Sequence, residues 1–110
     1  MSELTEFEIC ESMAKINDLD YQIDVLEGEV LCPDSFGNYV RRYNPVGNDC
    51  TNHKEMIKHE ITPEFTRYYE HIKSKTVKAF WGNRDDQFIR DVNANKAICL
   101  AIIEANKDKL

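Results

Sequence analysis

Cys50-x-x-His53, followed by His59, is the grouping in this 110-residue chain whose residue types could bind a metal. Structural zinc needs four ligands, usually in two close pairs, so His59 would have to join a remote residue such as Cys32 or His71. The competing reading is a capping loop followed by solvent-facing histidines, so the three residues are only outside candidates and no cofactor is implied. Asp85-Asp86 could hold a divalent cation with help, although adjacent acids in a glycine-containing loop are usually just solvated. A cysteine–histidine nucleophile would pair in space and not in sequence, and no glycine motif flanks any of the four cysteines. Walker A, dinucleotide, nucleophile-elbow and HExxH patterns are all missing, which argues for binding over catalysis. A metal-dependent hydrolase is the weaker enzymatic alternative.

Two further constellations suggest binding. Tyr68, Tyr69, Phe80 and Trp81 alternate with Arg67, Lys73, Lys75 and Lys78, and Arg41-Arg42 precede Tyr43. Aromatic residues among cations can stack bases, yet on a hairpin half of these side chains would turn to the core. Tyr43, Asn44, Asp49 and Trp81 are the candidate lining of a small-ligand pocket.

The formal charge of −6 is unevenly distributed. Residues 1–34 carry ten acids against Lys15 alone, a net of −9, whereas residues 35–110 have a net of +3. An acidic third disfavours binding to a nucleic-acid backbone and suits a basic partner. The acidic N-terminal face and the 43–50 loop are therefore the candidate surfaces for a protein partner, and a dimer is a further option.

The elements that must position these residues are readable in order. The length predicts one domain spanning 1–110. Thr5 and Glu8 fit a capping box that opens an amphipathic helix over about 6–17, with Phe7, Ile9, Cys10, Met13, Ala14 and Ile16 on its apolar half. Tyr21, Ile23 and Val25 alternate as a half-buried strand, Glu27-Gly28-Glu29 turns, and Val30–Cys32 and Tyr39–Tyr43 follow as strands. Gly47-Asn48-Asp49 lead into a surface helix over Cys50–His59. Residues 61–72 combine a respectable helix start at Thr62-Pro63-Glu64 with β-favouring Phe65, Thr66, Tyr68, Tyr69 and Ile72; the favoured reading is a hairpin with Thr76–Trp81. Phe88-Ile89 forms a short edge strand. After Asn93, the run Ala97–Ile103 is seven apolar residues long, and a helix apolar on nearly all sides is a buried one. It is too short to span a bilayer, which takes about 20 residues. The expected class is α+β: a small antiparallel sheet packed with an N-terminal amphipathic helix and a buried C-terminal helix. Met1-Ser2-Glu3-Leu4 lacks the basic and apolar regions of a signal peptide, which points to the cytoplasm and reduced thiols.

Three strings resemble NinX-like proteins, small proteins of unassigned function from lambdoid phages and prophages. They are Ser2–Ile9, then Tyr43-Asn44-Pro45 with Asn48-Asp49, and Asn93–Ile98. The chain departs from that family at His53–Ile57, where the family commonly has Trp-Pro before an apolar pair. The resemblance implies a phage or prophage origin, a place in the bacterial cytoplasm and a hairpin after Ile61. It implies no activity. The expected role is an accessory protein that binds a host or phage protein and modulates host defence or replication.

Overall fold

A computed structural model describes residues 4–65, 76–82 and 87–110. The fold is α+β, with three α-helices and two three-stranded antiparallel sheets. Helix α1 (Glu6–Ile16) starts as its sequence dictates. The Thr5 N–H donates to Glu8 Oε1 at 3.0 Å, and the Glu8 N–H donates to Thr5 Oγ1 at 3.2 Å. Each side chain thus satisfies an amide that the helix cannot. Its buried face is Ile9, Cys10, Met13, Ala14 and Ile16.

Strands β1 (Gln22–Asp24), β2 (Glu29–Pro33) and β3 (Tyr39–Arg42) form the first sheet in that order. Only Val30 sends a fully buried side chain from these strands into the core. The expected half-buried strand through Val25 stops early. Asp24 Oδ1 accepts the Leu26 and Glu27 N–H groups at 3.1 and 3.2 Å, which curls the chain before the expected turn. Val25 consequently stands 85% exposed, and Ile23 is itself 39% exposed, so of the expected half-buried face only Tyr21 packs against the core.

Helix α2 (Asp49–Lys58) is capped by Asn48, whose side chain accepts the Thr51 N–H at 3.0 Å. Strands β4 (Thr62–Phe65), β5 (Val77–Phe80) and β6 (Phe88–Asp91) make the second sheet, with Thr62 opposite Phe80 and Val77 opposite Asp91. Residues 62–65 are therefore strand, and Pro63 is tolerated because β4 is an edge. The remainder of the 61–72 segment, with Asp85-Asp86, lies outside the described residues.

Helix α3 (Ala94–Ala105) is the hub. The Asn93 side chain caps it by accepting the Lys96 N–H at 3.1 Å. It packs against β5, β6, α1 and α2, which explains its nearly all-round apolar surface. Ala97, Ile98, Cys99, Ala101, Ile102 and Ile103 are buried, and Ala97 and Ala101 let neighbouring elements approach closely. A short 3₁₀ turn (Lys107–Lys109) follows. Among the described residues no helix is long and apolar enough to cross a membrane.

Candidate functional site: an acidic cleft at the end of the first sheet

The first turn of α1, the β1–β2 turn and the end of β3 enclose a cleft of about 440 Å³. Phe7, Cys10, Val30 and Tyr43 supply its apolar part, and Glu6, Glu27, Glu29 and Arg42 its charge. Arg42 Nε lies 3.2 Å from Glu29 Oε1. That pairing leaves Glu6 and Glu27 as an excess of negative charge at the rim.

Asn44 organises the cleft's inner wall. Its Oδ1 accepts the Gly47 N–H at 2.9 Å and the Cys10 thiol at 3.2 Å, while its Nδ2 donates to Glu6 Oε1 at 3.3 Å. A Cβ at residue 47 would meet Asn44 Nδ2 at 2.7 Å, so a larger residue there would displace the Asn44 side chain from these partners. Burial pushes the Cys10 thiol up to about 11, keeping it protonated and a donor to Asn44. It is held as a structural hydrogen-bond donor and not poised as a thiolate.

Tyr43 ties the cleft to a polar cluster behind it. Asn17, the C-cap of α1, donates from Nδ2 to the Met13 carbonyl at 2.9 Å, to Glu55 Oε2 at 2.8 Å and to Tyr43 Oη at 3.3 Å. His59, the C-cap of α2, places Nε2 at 2.9 Å from Asn17 Oδ1 and 3.6 Å from Glu55 Oε2. The two helix ends are thus joined through their cap residues, and each is followed by a left-handed residue, Asp18 or Glu60. Burial raises the Tyr43 phenol above its ordinary value, reinforced by the Glu55 charge. Burial also lowers the His59 imidazole, against the opposing pull of Glu55.

The 43–50 loop is fixed from below by two asparagines. Asn52 is 2% exposed and donates to the Pro45 carbonyl at 2.8 Å and the Asn95 carbonyl at 3.0 Å, with its Nδ2 3.4 Å from Cys99 Sγ. Asn95 donates to the Val46 carbonyl at 3.0 Å and to Asp49 Oδ1 at 2.8 Å.

The sequence candidates therefore separate. Tyr43 and Asn44 line the acidic cleft. Asp49, Cys50 and His53 instead border a groove between α2 and α3. Trp81 borders neither; it packs half-buried against the core beyond β5. The Cys50, His53 and His59 trio is split in the same way, since His59 turns to Asn17. Among the described residues no three His, Cys, Asp or Glu side chains are grouped to hold a metal ion.

Of the aromatic and basic run, Tyr68, Tyr69, Arg67, Lys73 and Lys75 fall outside the described residues. In the described part, Val77 and Ala79 turn to the core, while Lys78 Nζ sits 4.9 Å from the Phe88 ring centroid. Phe80 and Phe88 pack with centroids 5.3 Å apart. Sequence reasoning missed Asn17, Asn52 and Asn95, because nothing in their local spacing announces partners so distant in the chain.

Compared with protein-family models, curated proteins and solved structures, the chain matches none.

Proposed function

We propose that this is a binding protein whose acidic cleft receives a cationic side chain from a basic segment of another protein. One observation supports this above the others. The two surfaces singled out by sequence, the acidic N-terminal third and the 43–50 loop, meet in one cleft through Glu6, Glu27, Tyr43 and Asn44. Its carboxylates supply Coulombic attraction, and Tyr43 and Phe7 offer aromatic surface to the stem of a Lys or Arg. The resemblance to NinX-like proteins makes the partner a host or phage protein in a bacterial cytoplasm, and the role that of an accessory factor acting by binding, not catalysis.

The test is capture from bacterial lysate with the wild-type chain and with a Glu6→Lys/Glu27→Lys variant, followed by titration of each purified candidate. The expected result is a partner whose affinity falls with salt and falls about tenfold or more in the variant. Equal affinity for both chains, or no partner titrating at all, would overturn the reading.

A further inference from the structure

The second sheet has two faces of different chemistry. Helix α3 packs on β5 and β6, and Val77 and Ala79 are buried beneath it. Successive strand residues point to opposite faces, so Lys78 and Phe80 stand on the face away from α3. Ile89 lies opposite Ala79 and packs against the core, which puts Phe88 and Arg90 on that same open face. Phe80 lies directly opposite Phe88, and Lys78 directly opposite Arg90. The open face thus carries a row of two phenyl rings beside a row of two cations. On β4 these rows end in Thr62 and Glu64.

The core does not account for the two rings. Ile89 and Trp81 pack against the buried cluster, whereas Phe80 and Phe88 are not among the side chains that do. The rings pack on each other, centroids 5.3 Å apart and planes tilted by 47°. Lys78 Nζ, 4.9 Å from the Phe88 centroid, makes a cation–π contact. Among the described residues neither Lys78 nor Arg90 forms an ion pair, not even with Glu64 in the same row. Asp91 lies on the other face and faces Lys96 at 4.0 Å. The acids of residues 1–34 belong to α1, the first sheet and their connections, so two cations against one carboxylate set the charge here.

We propose that this open face binds single-stranded nucleic acid, with two bases stacked on Phe80 and Phe88 and the adjoining phosphates met by Lys78 and Arg90. Aromatic rings beside cations are what binding without sequence preference uses, because every base has a stacking face. The two rows lie two residues apart along the strands, about 7 Å, so one strand can cross with its bases over one row and its backbone over the other. An exposed cation–π contact is weak, and Lys78 exchanges the Phe88 ring for a phosphate as a base arrives. A duplex keeps its bases stacked on one another and gives the rings nothing to hold. The face shares no residue with the acidic cleft, so the proposal stands apart from the partner reading above.

The test is fluorescence anisotropy of a labelled oligothymidylate of about ten nucleotides, within the site size of one single-strand-binding fold, titrated with the full chain at low salt. The expected result is saturable binding, about fivefold or more tighter than to a duplex of the same length. Phe80→Leu and Phe88→Leu keep an apolar side chain in the sheet but remove the ring, and each should weaken binding about fivefold or more. Their melting temperatures check that the sheet is intact. Arg90 is exposed, so Arg90→Gln spares the fold. It should lower the slope of log affinity against log salt by about 0.7, the loss of one phosphate contact. No binding at several hundred micromolar protein would overturn the proposal, as would equal affinity for the duplex. So would binding that both leucine variants retain in full, or a salt slope that Arg90→Gln leaves unchanged.

Discussion

Replacing Asn52 by alanine should cost far more than a substitution in a polar helix usually does. The side chain is 2% exposed and its amide donates to two main-chain carbonyls, those of Pro45 and Asn95. Each such hydrogen bond contributes about 0.5–1.5 kcal/mol net, and a buried acceptor left without a donor costs about 1–3 kcal/mol. With the void left by the amide, the total loss is about 2–4 kcal/mol, a large part of the ~5–15 kcal/mol that holds a domain together. At ~4 °C per kcal/mol for a domain of this size, the melting temperature should fall by roughly 10 °C. Urea unfolding followed by circular dichroism would measure it, with the denaturant slope unchanged. Asn52→Asp should be worse than alanine, because it turns a carboxylate oxygen towards two carbonyl oxygens. A loss below ~0.5 kcal/mol for Asn52→Ala would refute the claim that this amide pins the 43–50 loop to α3.

Other outcomes follow from the same contacts. Ile102→Asp, at a position with no exposure, should abolish cooperative melting by burying an unpaired charge; a soluble variant with a sharp transition would mean the core is misassigned. Because burial lowers the His59 pKa from its usual 6.5, the folded state favours the neutral ring. Its stability contribution is complete above that value and is lost as pH falls below it, so His59→Gln should flatten the decline of the melting temperature as pH falls below about 6.5. Identical slopes for both chains would exclude that role. Cys10 and Cys99, pushed up to about 11 and about 12 by burial, should resist a thiol reagent at mildly alkaline pH while exposed Cys50 reacts. Labelling of Cys10 or Cys99 at the rate of Cys50 in the folded protein would contradict their placement.

Features closed within a few residues were legible in the sequence. The Thr5–Glu8 box, the Asn93 cap and the apolar run of α3 rest on hydrogen bonds and periodicities spanning three or four positions, and they stand where the spacing puts them. The burial of Cys10 and Cys99 followed from the same periodicity. The β1–β2 turn shows where local reading failed: alternation put Val25 inside, but the Asp24 carboxylate captured two amides and ended the strand first. Tertiary structure alone decided that Tyr43 and Asn44 join Glu6 and Glu27, while Asp49 and Trp81 go elsewhere. It alone gave Asn52 its partners, seven and 43 residues away, and Asn17 its link to His59, 42 residues on. An asparagine amide has no preferred partner until the fold brings backbone carbonyls within its reach. The sequence by itself determined which helices form and which of their faces are apolar. The packing of α3 against both neighbouring helices and the second sheet decided which polar groups meet and which charges remain at the surface.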